Sequence, residues 1–214
     1  MKNNELITVD SIWYNRTQNH MDNTVGSQQQ NIICGTLLGD GLLERNGRFV
    51  RLVVDHSASQ EAYVRWKAAS LTSLHPIVIL KARIDPRNQR TYTHCILRTH
   101  TDPVFEKFVS LFYKGKRKCV PKNLSAIITP QMLAVWIMDD GYRRNDCNAM
   151  RLNTQGYSFA EQKIVQRALA KLSITSTIQK HKTHFVVYIP SRIMGRLRTL
   201  VQPLLIPSMA YKLA

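Results

Sequence analysis

The apolar residues of this chain fall into a pattern that runs through once and then runs through again. An apolar segment over residues 31–39, Asn-Ile-Ile-Cys-Gly-Thr-Leu-Leu-Gly, predicts a helix ending at Asp40-Gly41. After the turn residues Asn46-Gly47, the alternating run Phe49–Val54 predicts one strand of a hairpin. Residues 59–74 place Ala62, Tyr63, Trp66, Ala69 and Leu74 at helical spacing behind a Ser59 cap, which predicts an amphipathic helix. Two strands follow, Ile77–Ile84 and Tyr92–Leu97, split by a turn at residues 85–89. A helix over Asp102–Tyr113, capped by Thr101 or Asp102, closes the unit.

The same order then repeats. Met132–Met138 is apolar and ends in Asp139-Asp140-Gly141, and Met150–Thr154 reads as a strand. Ser158 caps a helix over residues 159–172. Strands at Thr175–Gln179 and Phe185–Ile189 precede a last helix from Ser191 to about Leu200. The exits match as well, Cys119-Val-Pro121 after the first unit and Leu205-Ile-Pro207 after the second. Asp40 and Asp140 stand 100 residues apart. One αββαββα unit cannot bury its sheet and helices alone, so two related units packed together are expected. The expected fold is α+β: two pseudo-twofold-related αββαββα repeats, residues 31–121 and 122–214. Residues 1–30 are polar and Asn/Gln-rich and read as a flexible leader with one short helix near Ser11–Tyr14.

Charge narrows the function. Thirty Lys and Arg stand against 14 Asp and Glu, a net +16 over 214 residues, with a pI near 10.1. Residues 1–31 hold Lys2 and Arg16 against Glu5, Asp10 and Asp22, so the remainder carries +17. A body this basic points to a polyanionic partner. No run approaches the roughly 18 apolar residues of a membrane span, and the N-terminus lacks the apolar core of a signal peptide. Cys34, Cys95, Cys119 and Cys147 are far apart, without CxxC pairs or ligand-like histidine spacing, so neither a zinc site nor a disulfide framework is expected. The histidines are scattered and suggest no metal site. Tyr63, Trp66 and Trp136 fall at apolar helical positions and read as core.

The two Asp-Gly corners carry the candidate chemistry. A carboxylate at a helix C-terminus faces the negative end of the macrodipole, at a cost of about 0.3–1 kcal/mol. A single Asp-Gly there reads as a helix stop followed by a hairpin. Two at equivalent places in two repeats read differently. If the motif helices pack along the twofold axis, with Gly35 and Gly39 permitting close approach, both corners emerge side by side as an oxygen-rich pocket. Mg²⁺ binds through one or two carboxylates and completes its shell with water and substrate phosphates. A basic surface beside such a pocket implies metal-dependent phosphodiester hydrolysis.

At these residues the sequence resembles a known family. Ile33-Cys-Gly-Thr-Leu-Leu-Gly-Asp-Gly41 and Leu133-Ala-Val-Trp-Ile-Met-Asp-Asp-Gly141 look like two degenerate LAGLIDADG motifs. The WIMDDG of the second copy, Leu152-Asn-Thr-Gln155 and the ending Ile206–Leu213 look most like the subgroup of yeast mitochondrial intron endonucleases. The resemblance covers about residues 31–214. It implies a monomeric homing endonuclease that cuts both strands of a long DNA site with short 3′ overhangs, and saddle-shaped antiparallel sheets lying along the major groove. It implies that Asp40 and Asp140 bind the catalytic divalent metals, Mg²⁺ with Mn²⁺ as substitute, while Asp139 supports the helix end. Leu38 stands where the family name has an acid. Lys118, before Val120-Pro121, and Lys212, in the terminal Tyr-Lys-Leu, match the family's basic residues near the cleaved phosphates; each also reads as a surface lysine. Asn153 and Gln155 would order a nucleophilic water or read a base.

Strand alternation puts Lys81 and Arg83 on one side, and Gln179 and His181 on one side of a later strand. Arg51 and Arg151 lie on strands, and the turns add Arg45, Arg48, Arg87, Arg90, Arg143, Arg144 and Lys182. These are the candidate DNA contacts, each of which could also touch only phosphate or solvent. Two other functions fit the same scaffold: an intron maturase that binds structured RNA, and a sequence-specific DNA-binding protein that does not cut. A bacterial cytoplasm and an organelle matrix both fit.

Overall fold

The computed structural model describes residues 25–181 and 183–213. The expected helix near Ser11–Tyr14 and the candidate contact Lys182 lie outside the described residues. The first repeat runs α1 (Ser27–Leu38), β1 (Leu42–Asn46), β2 (Phe49–Ser57), α2 (Glu61–Ser70), β3 (Ile77–Ile84), β4 (Thr91–Arg98) and α3 (Phe105–Phe112). A short hairpin, β5 (Tyr113–Lys114) and β6 (Arg117–Lys118), and a helical turn, α4 (Leu124–Ile127), lead into the second. That repeat runs α5 (Pro130–Asp140), β7 (Gly141–Arg143), β8 (Met150–Leu152), α6 (Phe159–Lys171), β9 (Thr177–His181), β10 (His184–Ile189) and α7 (Ser191–Val201). The repeats are αββαββα twice, an α+β fold.

Helix α1 begins at Ser27, inside the polar stretch read as leader. Its glutamines are satisfied by protein partners: Gln29 Nε2 donates to the Ser70 carbonyl, and Gln30 Nε2 donates to the Val25 carbonyl. Helix α5 starts at a Thr129 cap, whose Oγ1 accepts from Met132 N at 3.1 Å, with Pro130 in the first turn. Neither helix is amphipathic. Residues 32–38 and 132–138 are buried all round, as suits two helices that pack together at the centre of a core. The approach is close: a Cβ added at Gly35 would lie 2.6 Å from the Met132 carbonyl oxygen, and one at Gly39 would lie 2.5 Å from Asp139 Cβ.

Each repeat carries a four-stranded antiparallel sheet of the same order, β1-β2-β4-β3 and β7-β8-β10-β9. One face of each is closed by helices. Val50, Leu52, Val54 and His56 point there from β2, and Cys95 and Leu97 from β4. The other face carries Arg51, Asp55, Ile79, Lys81, Arg83 and His94 in the first sheet. In the second it carries Tyr142, Arg151, Gln179 and His181. Ser57, not Ser59, caps the entry to α2, accepting from Ser59 N in a 3₁₀ turn over Ala58–Gln60. Before α3, Asp102 Oδ1 accepts from Val104 N at 2.8 Å. No helix among the described residues is long and apolar enough to cross a membrane.

Candidate active site

Asp40 lies just past the end of α1 and Asp140 is the last residue of α5, where the packed helices deliver both corners to one place. Each corner is met by a lysine from elsewhere in the chain. Lys118 Nζ donates to the carbonyls of Gly39 and Gly41, at 2.5 and 2.9 Å, astride Asp40. Lys212 Nζ donates to the carbonyls of Asp139 and Gly141, both at 3.0 Å, astride Asp140. The two contacts are equivalent under the repeat symmetry. Each ammonium sits where the orphan carbonyls and negative dipole of a helix end favour a cation. An ammonium has three donors, so each lysine keeps one for another acceptor.

The lysines arrive on elements that carry little periodicity. Lys118 lies on β6, reached through a two-residue turn in which Gly115 has φ +62°. Lys212 ends a 3₁₀ helix over Pro207–Lys212. The β6 segment is tied to the second repeat by Glu161 of α6. That carboxylate accepts from both Arg117 Nη atoms at 2.9 and 3.0 Å, from Val120 N and from the Ser158 cap. Burial would raise the Glu161 carboxyl, but these donors outweigh it and hold it at about 2. Its folded pKa lies below the usual 4.5, so its contribution to stability is complete above that value and fades as the pH falls towards 2. Glu161→Gln is therefore expected to flatten the acid-side decline of the unfolding temperature between about pH 5 and 2.5; an unchanged slope would show that the carboxylate is not fixed by these partners.

Three carboxylates crowd this place, with different fates. Asp139 is fully enclosed, yet its oxygens accept from Lys67 Nζ at 2.8 and 3.1 Å, and Oδ2 accepts from Asp40 N at 3.3 Å. Burial would raise it; Lys67, then His56, overcome this and hold it at about 2. Asp140 is pushed up to about 7, first by burial and then by Asp40 and Asp139. Trp136 Nε1 donates to its Oδ2 at 3.2 Å, so this core tryptophan also orients the site. Asp40, with a side chain 41% exposed, is raised by burial and by Asp139. Asp40 and Asp140 thus remain a pair of poorly neutralised acids, the condition a divalent cation relieves.

His56 and Lys67 are the site residues that sequence reasoning missed. His56 Nδ1 lies 3.7 Å from Asp40 Oδ2, and its Nε2 lies 3.6 Å from Asp139 Oδ1. Asp40, His56 and Asp139 each present a ligand atom within 4.8 Å of the others. Lys67 donates to both oxygens of Asp139, whereas no lysine side chain donates to the Asp40 or Asp140 carboxylate among the described contacts. Lys67 is fully buried, its ammonium 4.4 Å from the centre of the Tyr63 ring.

A pocket beside Asp140 is lined by Leu38, Gly39, Arg117, Lys118, Asn153, Gly156 and Tyr157. It brings Asn153 to Asp140 and Lys118. Asn153 N donates to the Asp140 carbonyl at 3.0 Å, and Tyr157 donates its hydroxyl to the Leu38 carbonyl at 2.7 Å. Buried Gln162 holds this loop through the Thr154 and Tyr157 carbonyls. Gln155 is exposed on the same loop and does not line the pocket.

The candidate DNA contacts divide. Arg51, Lys81, Arg83, Arg151, Gln179 and His181 lie on the helix-free faces. Arg51 pairs with Glu44, and Arg83 with Asp55. Arg45 and Arg143 lie on strands, not turns, opposite the buried Val50 and Met150, and so share the helix-side face; Arg45 pairs there with Glu106 of α3. Arg48, Arg87, Arg90 and Arg144 lie in turns, Arg48 against the Phe49 ring, Arg87 paired with Asp85, and Arg144 with Asp146.

Comparison with known proteins gives this arrangement a lineage. The sequence model of the LAGLIDADG DNA endonuclease family matches residues 30–197. The cytochrome b mRNA maturase bI2 of Saccharomyces cerevisiae is 32% identical over 90% of this chain, which spans 49% of that relative's length. DNA endonuclease I-ChuI of Chlamydomonas applanata is 29% identical, over 87% of this chain and 94% of its own. The fold is that of the homing endonuclease I-WcaI, solved bound to its DNA recognition sequence. The TM-score is 0.82 at 23% identity, covering 100% of this chain and 95% of that one. With the family sequence running from α1 into α7 and an acid at the C-terminal end of each motif helix, the chain belongs to the LAGLIDADG DNA endonuclease family.

Proposed function

We propose that the chain is a homing endonuclease that makes a metal-dependent double-strand break, with short 3′ overhangs, in a long DNA site. The observation that carries this reading is the symmetric seating of Lys118 and Lys212 on the carbonyls that flank Asp40 and Asp140 at the ends of two packed helices. Asp40 and Asp140 would hold divalent cations, Mg²⁺ or in its place Mn²⁺. When bound, these supply an activated water and neutralise charge developing at the scissile phosphates. Lys118 and Lys212 each turn their remaining N–H to a phosphate oxygen, and Trp136 fixes the Asp140 carboxylate. Asn153, in the pocket beside Asp140, stands where it can order a water. Both corners lie in one chain, so a monomer suffices.

The basic residues on the helix-free sheet faces fit duplex DNA, because a two-stranded ribbon fits the major groove. The test requires no knowledge of the target. A complex DNA pool is digested with Mg²⁺ and the new ends are sequenced, beside an Asp40→Asn/Asp140→Asn variant. Recurrent ends at one long site, absent with the variant, are expected; ends shared by both proteins would remove the acids from the chemistry.

The yeast maturase relative favours a second reading, in which the same scaffold binds intron RNA. Competition between structured intron RNA and duplex DNA separates the two. A non-cleaving DNA-binding protein would instead bind a site with indifference to Mg²⁺. The cytochrome b maturase among the relatives supports an organelle matrix over a bacterial cytoplasm as the compartment.

A further inference from the structure

On the helix-free face of the first sheet, three side chains from three neighbouring strands form one unit. Asp55 of β2 accepts from Arg83 Nη1 of β3 at 2.7 Å through Oδ2, and its Oδ1 lies 2.8 Å from His94 Nδ1 of β4. All three keep access to solvent, their side chains 44% (Arg83), 30% (Asp55) and 32% (His94) exposed. The fold does not require an acid here. Counting from the buried pairs Val54–Leu97 and Leu152–Val187, the second sheet puts Asn153 where the first has Asp55.

From this geometry, and given that the protein recognises duplex DNA as proposed above, we infer that Arg83, held by Asp55, which His94 braces from the other side, reads a guanine in the DNA target. Asp55 engages one guanidinium nitrogen and leaves Nη2 and Nε free, a planar fork that matches the O6 and N7 acceptors of guanine in the major groove. A phosphate is a poor partner for this arginine, because the Asp55 carboxylate beside it repels a second anion. The guanine edge is neutral and is not repelled. Each Asp55 oxygen also retains a lone pair that can accept from a cytosine N4 amino group, so the unit suits a G·C pair on both strands. Lys81, exposed on the same face with no carboxylate partner among the described contacts, is the phosphate-type cation by the same reasoning.

The experiment compares wild type with Arg83→Ala, Asp55→Asn and Lys81→Ala. Binding is measured to a target library randomised one position at a time, in Ca²⁺ or without divalent ions so that no cutting intervenes. Thermal unfolding of each variant checks that the fold is kept, as expected for exposed positions. Wild type is expected to prefer guanine at one position of the half-site under the first sheet, by about 5- to 150-fold. Arg83→Ala should erase that preference and leave the other positions intact, Asp55→Asn should relax the same position, and Lys81→Ala should weaken all sequences alike. If Arg83→Ala weakens all sequences alike and makes the salt dependence shallower by about one phosphate, the residue is a backbone contact and the inference is wrong. An unchanged profile overturns it equally. A wild-type protein with no sequence preference in DNA overturns the endonuclease reading and this one together.

Discussion

Replacement of Asp40 or Asp140 by asparagine is expected to end double-strand cleavage while DNA binding persists. In the function proposed above each acid holds a cation at one corner, and an amide keeps the shape but loses the charge. A loss of at least about a thousandfold in cutting, or about 4 kcal/mol of barrier, is the order expected when metal-assisted water activation is removed. A plasmid carrying the target reads this directly as loss of the linear product. The fold should survive. Asp140 has its carboxyl raised from 3.8 to about 7, so its ionisation weighs against the folded, metal-free chain increasingly as the pH rises through that interval. Asparagine removes that burden and can still accept from Trp136, so metal-free Asp140→Asn should unfold at or above the wild-type temperature at pH 8. Normal cutting by either variant would mean that the corner acids are not the metal ligands.

The second large effect lies beneath the site. Lys67→Met is expected to destabilise the protein by about 3–5 kcal/mol, because it strands a buried carboxylate. Asp139 and Lys67 are both fully enclosed, and the ammonium serves both carboxylate oxygens. For a chain of this size the unfolding temperature should fall by roughly 6–20 °C. Adding Asp139→Asn should recover much of the loss, since a neutral amide needs no counter-ion. If Lys67→Met melts with wild type, or the second substitution makes matters worse, the two residues are not coupled as the geometry implies.

The duplicated plan was legible because it rests on long signals. The two motif helices are apolar all round, and β3 follows its hydrophobic run, Ile77–Ile84, residue for residue. Asp40 and Asp140 stood out as Asp-Gly corners at matching places in the two repeats, whereas Lys118 and Lys212 were singled out only through resemblance, since Lys118 rides a two-residue strand that has no pattern to read. Lys67 was hidden by its type. A lysine on an amphipathic helix reads as solvent-facing, and only an acid delivered from 72 residues away makes its burial tolerable. His56 occupies an inward position of β2, but no local spacing links it to Asp40 or Asp139. Arg45 was assigned to a turn, but β1 runs on to Asn46; Leu42 and Leu43 are both apolar, so no alternation marks a strand after Gly41.

Gly39 and Asp139 stand 100 residues apart at matching places in the two repeats, and they touch. The Asp139 side chain fills the room that Gly39 vacates and reaches into the other half for Lys67 and His56. Two copies of the first half, joined head to head, would meet glycine to glycine and leave a buried lysine in each without its counter-ion. Two copies of the second half would drive one Asp139 carboxylate into the other. The halves have therefore become mutually dependent heirs of a duplication that cannot be reversed by simple swapping. Chimeric nucleases built by exchanging halves with relatives would need to carry Gly39, His56, Lys67 and Asp139 across as one inheritance.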